Sequence, residues 1–186
     1  MKTLGTALIL TLCIIWSASR AEAEVPAPFA PSITLENKTL YLNGVGVRKV
    51  TIFGVKVYRA GLYLEKKSTH ADEILNSPEL KRIDLVFLRD ASQKQISDAW
   101  RESLQKNCGE YCAAAKPMAE KLIGMMTALK EGDILSFVFY PDHVTVFLHN
   151  QQIGAIDGAI FERIVLLTWL GPNPPNSDLK EGMLGR

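Results

Sequence analysis

Charge of one sign, histidine and cysteine are all scarce in this chain of 186 residues. Lysine and arginine number 21 against 20 acidic residues, for a formal net charge of +1. No excess of positive charge exists to release counterions from a phosphate backbone, so nucleic acid is not an expected partner. Three histidines, at 70, 143 and 149, are too scattered to suggest a ligand cluster. Haem or metal binding through them is a further alternative, and no cofactor is expected. There is no internal repeat, no heptad pattern and no low-complexity tract. No phosphate loop, no Ser-His-Asp arrangement with recognisable flanks and no paired catalytic carboxylates stand out.

Long apolar runs are equally rare, and the one present lies at the start. Lys2 precedes an apolar core from Leu4 to Trp16, and Ala21-Glu22-Ala23 offers small residues for cleavage. The run is short for a membrane span. Residues 1–23 therefore read as an export signal removed from a periplasmic or secreted protein, with a retained anchor as the alternative. No stable membrane span is expected after cleavage. Removing 23 residues leaves 163, with 19 basic and 19 acidic. One domain with a sizeable core fits that length.

Cys108 and Cys112 remain in the exported portion, in Asn-Cys-Gly-Glu-Tyr-Cys. In an oxidising compartment they read as an intrachain disulfide. Free thiols, or metal or redox chemistry, are the alternatives.

Residues 24–40, with prolines at 26, 28 and 31, read as an extended lead-in, and 41–186 as the domain. Short β-like pieces over 33–47 are interrupted by Glu36-Asn37-Lys38, Asn43-Gly44 and Gly46. Strands follow at 48–52 and 55–65. If Phe53-Gly54 made a two-residue loop, Arg48 would oppose Arg59, which is unfavourable. A loop of Ile52, Phe53 and Gly54 instead puts glycine where φ is positive and sets Arg48 opposite Tyr58 on one face. Helices are predicted from Thr69 to Leu75, after a Ser92 cap, and with Pro117 near a first turn. Strands return at 134–140, 144–149 and 152–156. A deeply apolar helix, capped by Asp157, then runs to Leu170, and Ser177 caps a last turn. This order makes an α+β domain with a mainly antiparallel sheet and helices on one face.

Two motifs add a family resemblance. Gly44-Val45-Gly46-Val47-Arg48, with Gly61-Leu62-Tyr63-Leu64-Glu65 after it, resembles the opening hairpin of the chalcone isomerase superfamily. Trp169-Leu170-Gly171-Pro172-Asn173-Pro174-Pro175, then Leu179-Lys180 and Met183-Leu184-Gly185, resembles the C-terminus of its bacterial exported branch. The resemblance implies an open-faced β-sandwich enclosing an apolar cleft. It also implies that Arg48 faces a phenolate, as in the plant isomerases, or a carboxylate, as in fatty-acid-binding relatives. Tyr58 stands where the plant enzymes carry threonine, which is closer to the fatty-acid-binding pattern.

Arg48 and Tyr58 suit an anionic head group, since guanidinium offers a planar fork and the phenol a further donor. Val50, Ile52, Ala60 and Leu62 share their alternation face and are candidates for lining the tail site. The expected function is binding of a small hydrophobic or amphipathic anion such as a fatty acid. One alternative is an isomerase of the same fold, in which Arg48 and Tyr58 would be the catalytic pair on an enone or phenolic substrate. The other is a structural or partner-binding module, with Arg48 at a sheet end paired to an acid such as Asp84 or Asp157.

Overall fold

A computed structural model describes residues 29–50 and 54–186. The expected export signal, the start of the lead-in, and Ile52 and Phe53 of the hairpin loop lie outside the described residues. Seven strands form one sheet in chain order: β1 (Ser32–Leu35), β2 (Lys38–Val50), β3 (Val55–Leu64), β4 (Lys81–Phe87), β5 (Ile134–Phe139), β6 (His143–Leu148) and β7 (Gln151–Asp157). Every neighbouring pair is antiparallel. The helices are α1 (Ala71–Asn76), α2 (Gln93–Asn107), α3 (Cys112–Gly124), α4 (Ala159–Leu170) and α5 (Ser177–Met183). The architecture is the expected α+β one, an antiparallel sheet layered with helices.

Two tight hairpins have a clear local cause. Glu36-Asn37 and His149-Asn150 all take positive φ, the conformation of a two-residue loop whose twist matches the flanking strands. Part of the stretch expected as lead-in, from Ser32 onward, therefore contributes β1 and the start of β2 to the sheet.

Period-two alternation builds the core. Ala60, Leu62 and Leu64 of β3, Ile83, Leu85 and Phe87 of β4, and Leu135, Phe137 and Phe139 of β5 all point toward the helices and are buried. Against them lie Ile96, Trp100 and Leu104 of α2, spaced by four, and α4, which is buried on most of its circumference. A second, smaller cluster, including Phe29, Leu40, Tyr63 and Val138, covers part of the outer face.

Several element ends differ from the sequence expectation. Asp157 does not cap α4; it is the last residue of β7, paired with His143, and Gly158 makes the turn at φ 126. His70 rather than Thr69 precedes α1. Pro117 sits in the second turn of α3 because that helix begins early, at Cys112. Ser92 does cap α2, in a reciprocal box with Gln95 that satisfies two otherwise orphaned amides.

The pieces expected between 33 and 47 are largely one strand. Asn43 is accommodated as a bulge between Leu42 and Gly44, and its side chain fixes three backbone groups. Its Nδ2 donates to the carbonyls of Ser68 and Met183, and its Oδ1 accepts from the Ser68 amide, each at 2.9 Å. Gly44 and Gly46 do not break β2; they let α5 lie directly on it. A Cβ at Gly46 would overlap the Leu179 carbonyl, and one at Gly44 the carbonyl of Gly182.

Candidate functional site

The site starts from the register of the β2–β3 hairpin. Pairing begins at Val50–Val55 and Lys49–Lys56, after which Val57 is an extra residue and Arg48 comes opposite Tyr58. The Arg48–Tyr58 pairing is as expected, but it is reached through a bulge at Val57 rather than by an uninterrupted ladder. Gly54 takes the positive φ, 65°, that the turn requires. The bulge turns Val57 as well as Tyr58 toward the helical layer, and both line a cavity of about 480 Å³.

That cavity lies over the Tyr58–Phe87–Leu85–Leu135 end of the sheet, under α2, and beside the segment that follows α4. Its volume falls among small-molecule sites, roughly 300–1,000 Å³. The floor is aromatic. Trp100 and Trp169 pack at 5.6 Å over the fully buried Phe137, which lies 5.3 and 5.4 Å from them beneath the floor, and Tyr58 packs against Phe87 at 5.7 Å.

Three polar groups converge on this apolar chamber. The Arg48 guanidinium carbon lies 5.7 Å from the Tyr58 ring centroid, so the cation rests over the aromatic face. Its Nε is buried with no hydrogen-bond partner among the described residues, and so is the hydroxyl of Thr168 on α4. The Tyr58 oxygen accepts a hydrogen bond of 3.1 Å from Trp169 Nε1, which leaves the phenol proton free to donate elsewhere. Burial pushes the Tyr58 phenol above its ordinary 10, outweighing the pull of Arg48 and of the Trp169 bond. Tyr58 is thus a neutral donor at physiological pH. Buried donors without partners are rare and call for a ligand or water.

The wall after α4 is held in place by amides. Asn107 Nδ2 donates to the Asn173 carbonyl, and Asn173 Nδ2 donates back to the Lys106 carbonyl. Asn176 then continues the sheet edge, donating to Val47 O and accepting from Lys49 N, both at 3.1 Å. Between these anchors Pro174 and Pro175 form one side of the cavity. Arg89, Asp90, Gln95, Glu102 and Lys106 surround the opening and are exposed. Lys106 holds the Glu102 carboxyl below its ordinary value by a 2.6 Å hydrogen bond, with Arg48 adding a smaller pull.

Of the candidate lining residues, Val50 is at the cavity with Arg48 and Tyr58. Ala60 and Leu62 share the inward face but lie further along β3, fully buried in the core and away from the lining. Ile52 is outside the described residues. Arg48 forms no ion pair with Asp84 or Asp157; Asp84 is bound to Arg82 at 2.6 Å. Cys108 and Cys112 form a disulfide with Cα atoms 4.8 Å apart, joining the end of α2 to the start of α3. His70 and His149 are exposed and His143 half-buried, all away from the cavity.

The sequence reading missed Thr168 and treated Trp100 and Trp169 only as core. Both tryptophans are indeed buried, yet each also presents surface to the cavity. A signal for Thr168 existed: it is the one hydroxyl in the apolar run from Ile164 to Leu170, immediately before the Trp-Leu-Gly-Pro segment.

A solved fatty-acid binding protein of Arabidopsis thaliana is similar in fold, with a TM-score of 0.70 and 16% identity, covering 84% of this chain and 90% of that one. No curated protein matches the chain by sequence. A family model described as chalcone isomerase-like matches residues 23–185. With that match spanning nearly the whole described fold, the chain belongs to the chalcone isomerase-like family.

Proposed function

We propose that the chain binds a small apolar anion, a fatty acid or close analogue, with its carboxylate on Arg48, Tyr58 and Thr168 and its tail against the aromatic floor. The observation that carries this reading is that Arg48 and Thr168, which both line one apolar cavity beside the Tyr58 phenol, each carry a buried donor with no partner among the described residues. A carboxylate offers acceptors for all three, and Arg48 has no ion-pair partner within 4 Å among the described residues, only the weaker pull of Glu102. The fatty-acid binding protein of similar fold supports the same ligand class.

The energetics divide by position. Charge-assisted bonds contribute about 1.5–3 kcal/mol each, and each buried CH₂ about 0.8 kcal/mol. The tail sets affinity and the arginine sets orientation. We place the protein outside the cytoplasm, processed within residues 1–23; the apolar start of the chain and the Cys108–Cys112 pair support this.

Native mass spectrometry of the purified protein, followed by solvent extraction, tests the reading. Retained acyl chains that are lost in Arg48→Ala support it. An empty cavity in both proteins sinks it. Turnover of a chalcone that depends on Arg48 replaces it with the isomerase.

A further inference from the structure

The opening of the cavity carries more uncompensated positive charge than the chain as a whole, whose formal net charge is +1. Each acid on the rim is already tied to a lysine, Asp90 to Lys130 at 2.7 Å and Glu102 to Lys106 at 2.6 Å. Arg48 and Arg89 line the cavity with no acidic partner among the described residues. Lys56, one residue before the lining Val57, is exposed and likewise has none. Lys56 also stands directly across the hairpin from Lys49, a like-charge pairing that is locally unfavourable. Only Lys49 is relieved, by Asp178 at 2.8 Å. Half-buried apolar groups, Val50, Val57, Pro174 and Pro175, lie among these cations.

One bound carboxylate engages Arg48 and leaves Arg89 and Lys56 facing outward. We propose that this rim docks on an anionic lipid surface, from which the amphiphile enters the cavity. The inference rests on the ligand class argued above, because an apolar acid is stored in a bilayer rather than in water. Mixed cationic and apolar groups match the headgroup boundary, where cations meet lipid phosphates and valine or proline meets the acyl region. A purely acidic protein surface would leave the apolar part of the rim without a counterpart.

The test is co-sedimentation of the full chain with phosphatidylcholine vesicles prepared with and without phosphatidylglycerol. The apolar run at Leu4–Trp16 would bind both vesicles and Lys2 and Arg20 would favour the anionic one, so the readout is how the difference between them changes on substitution at the rim. Stronger binding to the anionic vesicles is expected, weakening as salt is raised. Lys56→Glu and Arg89→Glu should each reduce that preference by roughly fivefold or more. Lys56→Glu should leave acyl retention in native mass spectrometry unchanged. Equal binding to the two vesicles, or a preference untouched by both substitutions, overturns the proposal. A failure on anionic vesicles with acyl retention intact would leave the ligand reading standing and turn the search toward an acidic protein. Charge-dependent docking without acyl retention would instead keep the docking surface but remove the ligand reading and, with it, entry of an amphiphile from the bilayer.

Discussion

At the scale of single residues, Arg48 and Tyr58 have different tasks and should fail differently. Arg48→Ala removes a charge-assisted fork and should weaken fatty-acid binding by roughly 10- to 100-fold, read by titration with a fluorescent acid. Arg48→Lys keeps the charge but loses the bidentate geometry, so it should recover only part of that loss. Tyr58→Phe takes one neutral donor from the ligand, a loss of roughly 3- to 10-fold. It also orphans Trp169 Nε1, whose acceptor is the Tyr58 oxygen, so stability should fall by about 1–3 kcal/mol in chemical denaturation. Binding without loss of stability in that variant would show that the indole finds another partner. The Arg48–Tyr58 pair was legible in the sequence because both residues sit in one hairpin, where register follows from local turn geometry. Thr168 and Trp169 were not, since more than a hundred residues separate them from Tyr58 and only packing of α4 on the sheet brings them close.

At the scale of elements, the glycines of β2 and the α2–α3 junction decide whether the cavity has walls. Gly44 and Gly46 look like strand breakers in the sequence, and the strand was expected to end there. The fold uses the missing side chains as the seat of α5, whose preceding Asn176 then pins the proline segment to the edge of β2. Gly46→Ala should therefore cost at least about 2 kcal/mol and shift the denaturation midpoint downward, because the new methyl meets backbone rather than a pliable side chain. The disulfide lies just beyond Asn107, whose amide holds Asn173. Closing so short a loop contributes about 2 kcal/mol by the chain-entropy account, and Cys108→Ser with Cys112→Ser should lose about that much in a reversible melt. Element identity was mostly legible, because period-two runs, the Ser92 cap and the apolar residues on several sides of α4 are local patterns. Element ends were less so. Asp157 has the residue type of a helix cap, but pairing with His143 holds it in β7.

At the scale of the whole molecule, burial of phenols sets how the fold responds to alkali. Tyr63 and Tyr140 are both pushed up to about 12, largely by burial, and the Tyr58 phenol is also raised. Each group holds its proton more tightly folded than unfolded. Its stabilising contribution is complete below the unfolded value near 10 and is lost as pH rises toward the folded value. The buried Lys81, lowered by desolvation, acts with the opposite sign, but its effect is complete once pH passes its ordinary 10.5. Stability measured by thermal melting should thus decline progressively between about pH 10 and pH 12. Ligand binding should be flat from about pH 6 to 10, since Tyr58 stays a donor throughout, and should fall below about pH 5 as the ligand carboxylate protonates. A binding curve that drops through neutrality would exclude the carboxylate–guanidinium contact.

The sequence by itself determined the class of fold, the Arg48–Tyr58 pair and the family resemblance. Alternation, caps and hairpin register act over a few neighbouring residues and leave their mark in order and spacing. Tertiary structure alone decided that Thr168, Trp169 and the Pro174–Pro175 segment complete the chamber, that Ala60 and Leu62 are core instead of lining, and that the rim cations remain unmatched. Those outcomes depend on which distant surfaces meet and how much space is left between them, and no local pattern in the chain encodes an enclosed volume.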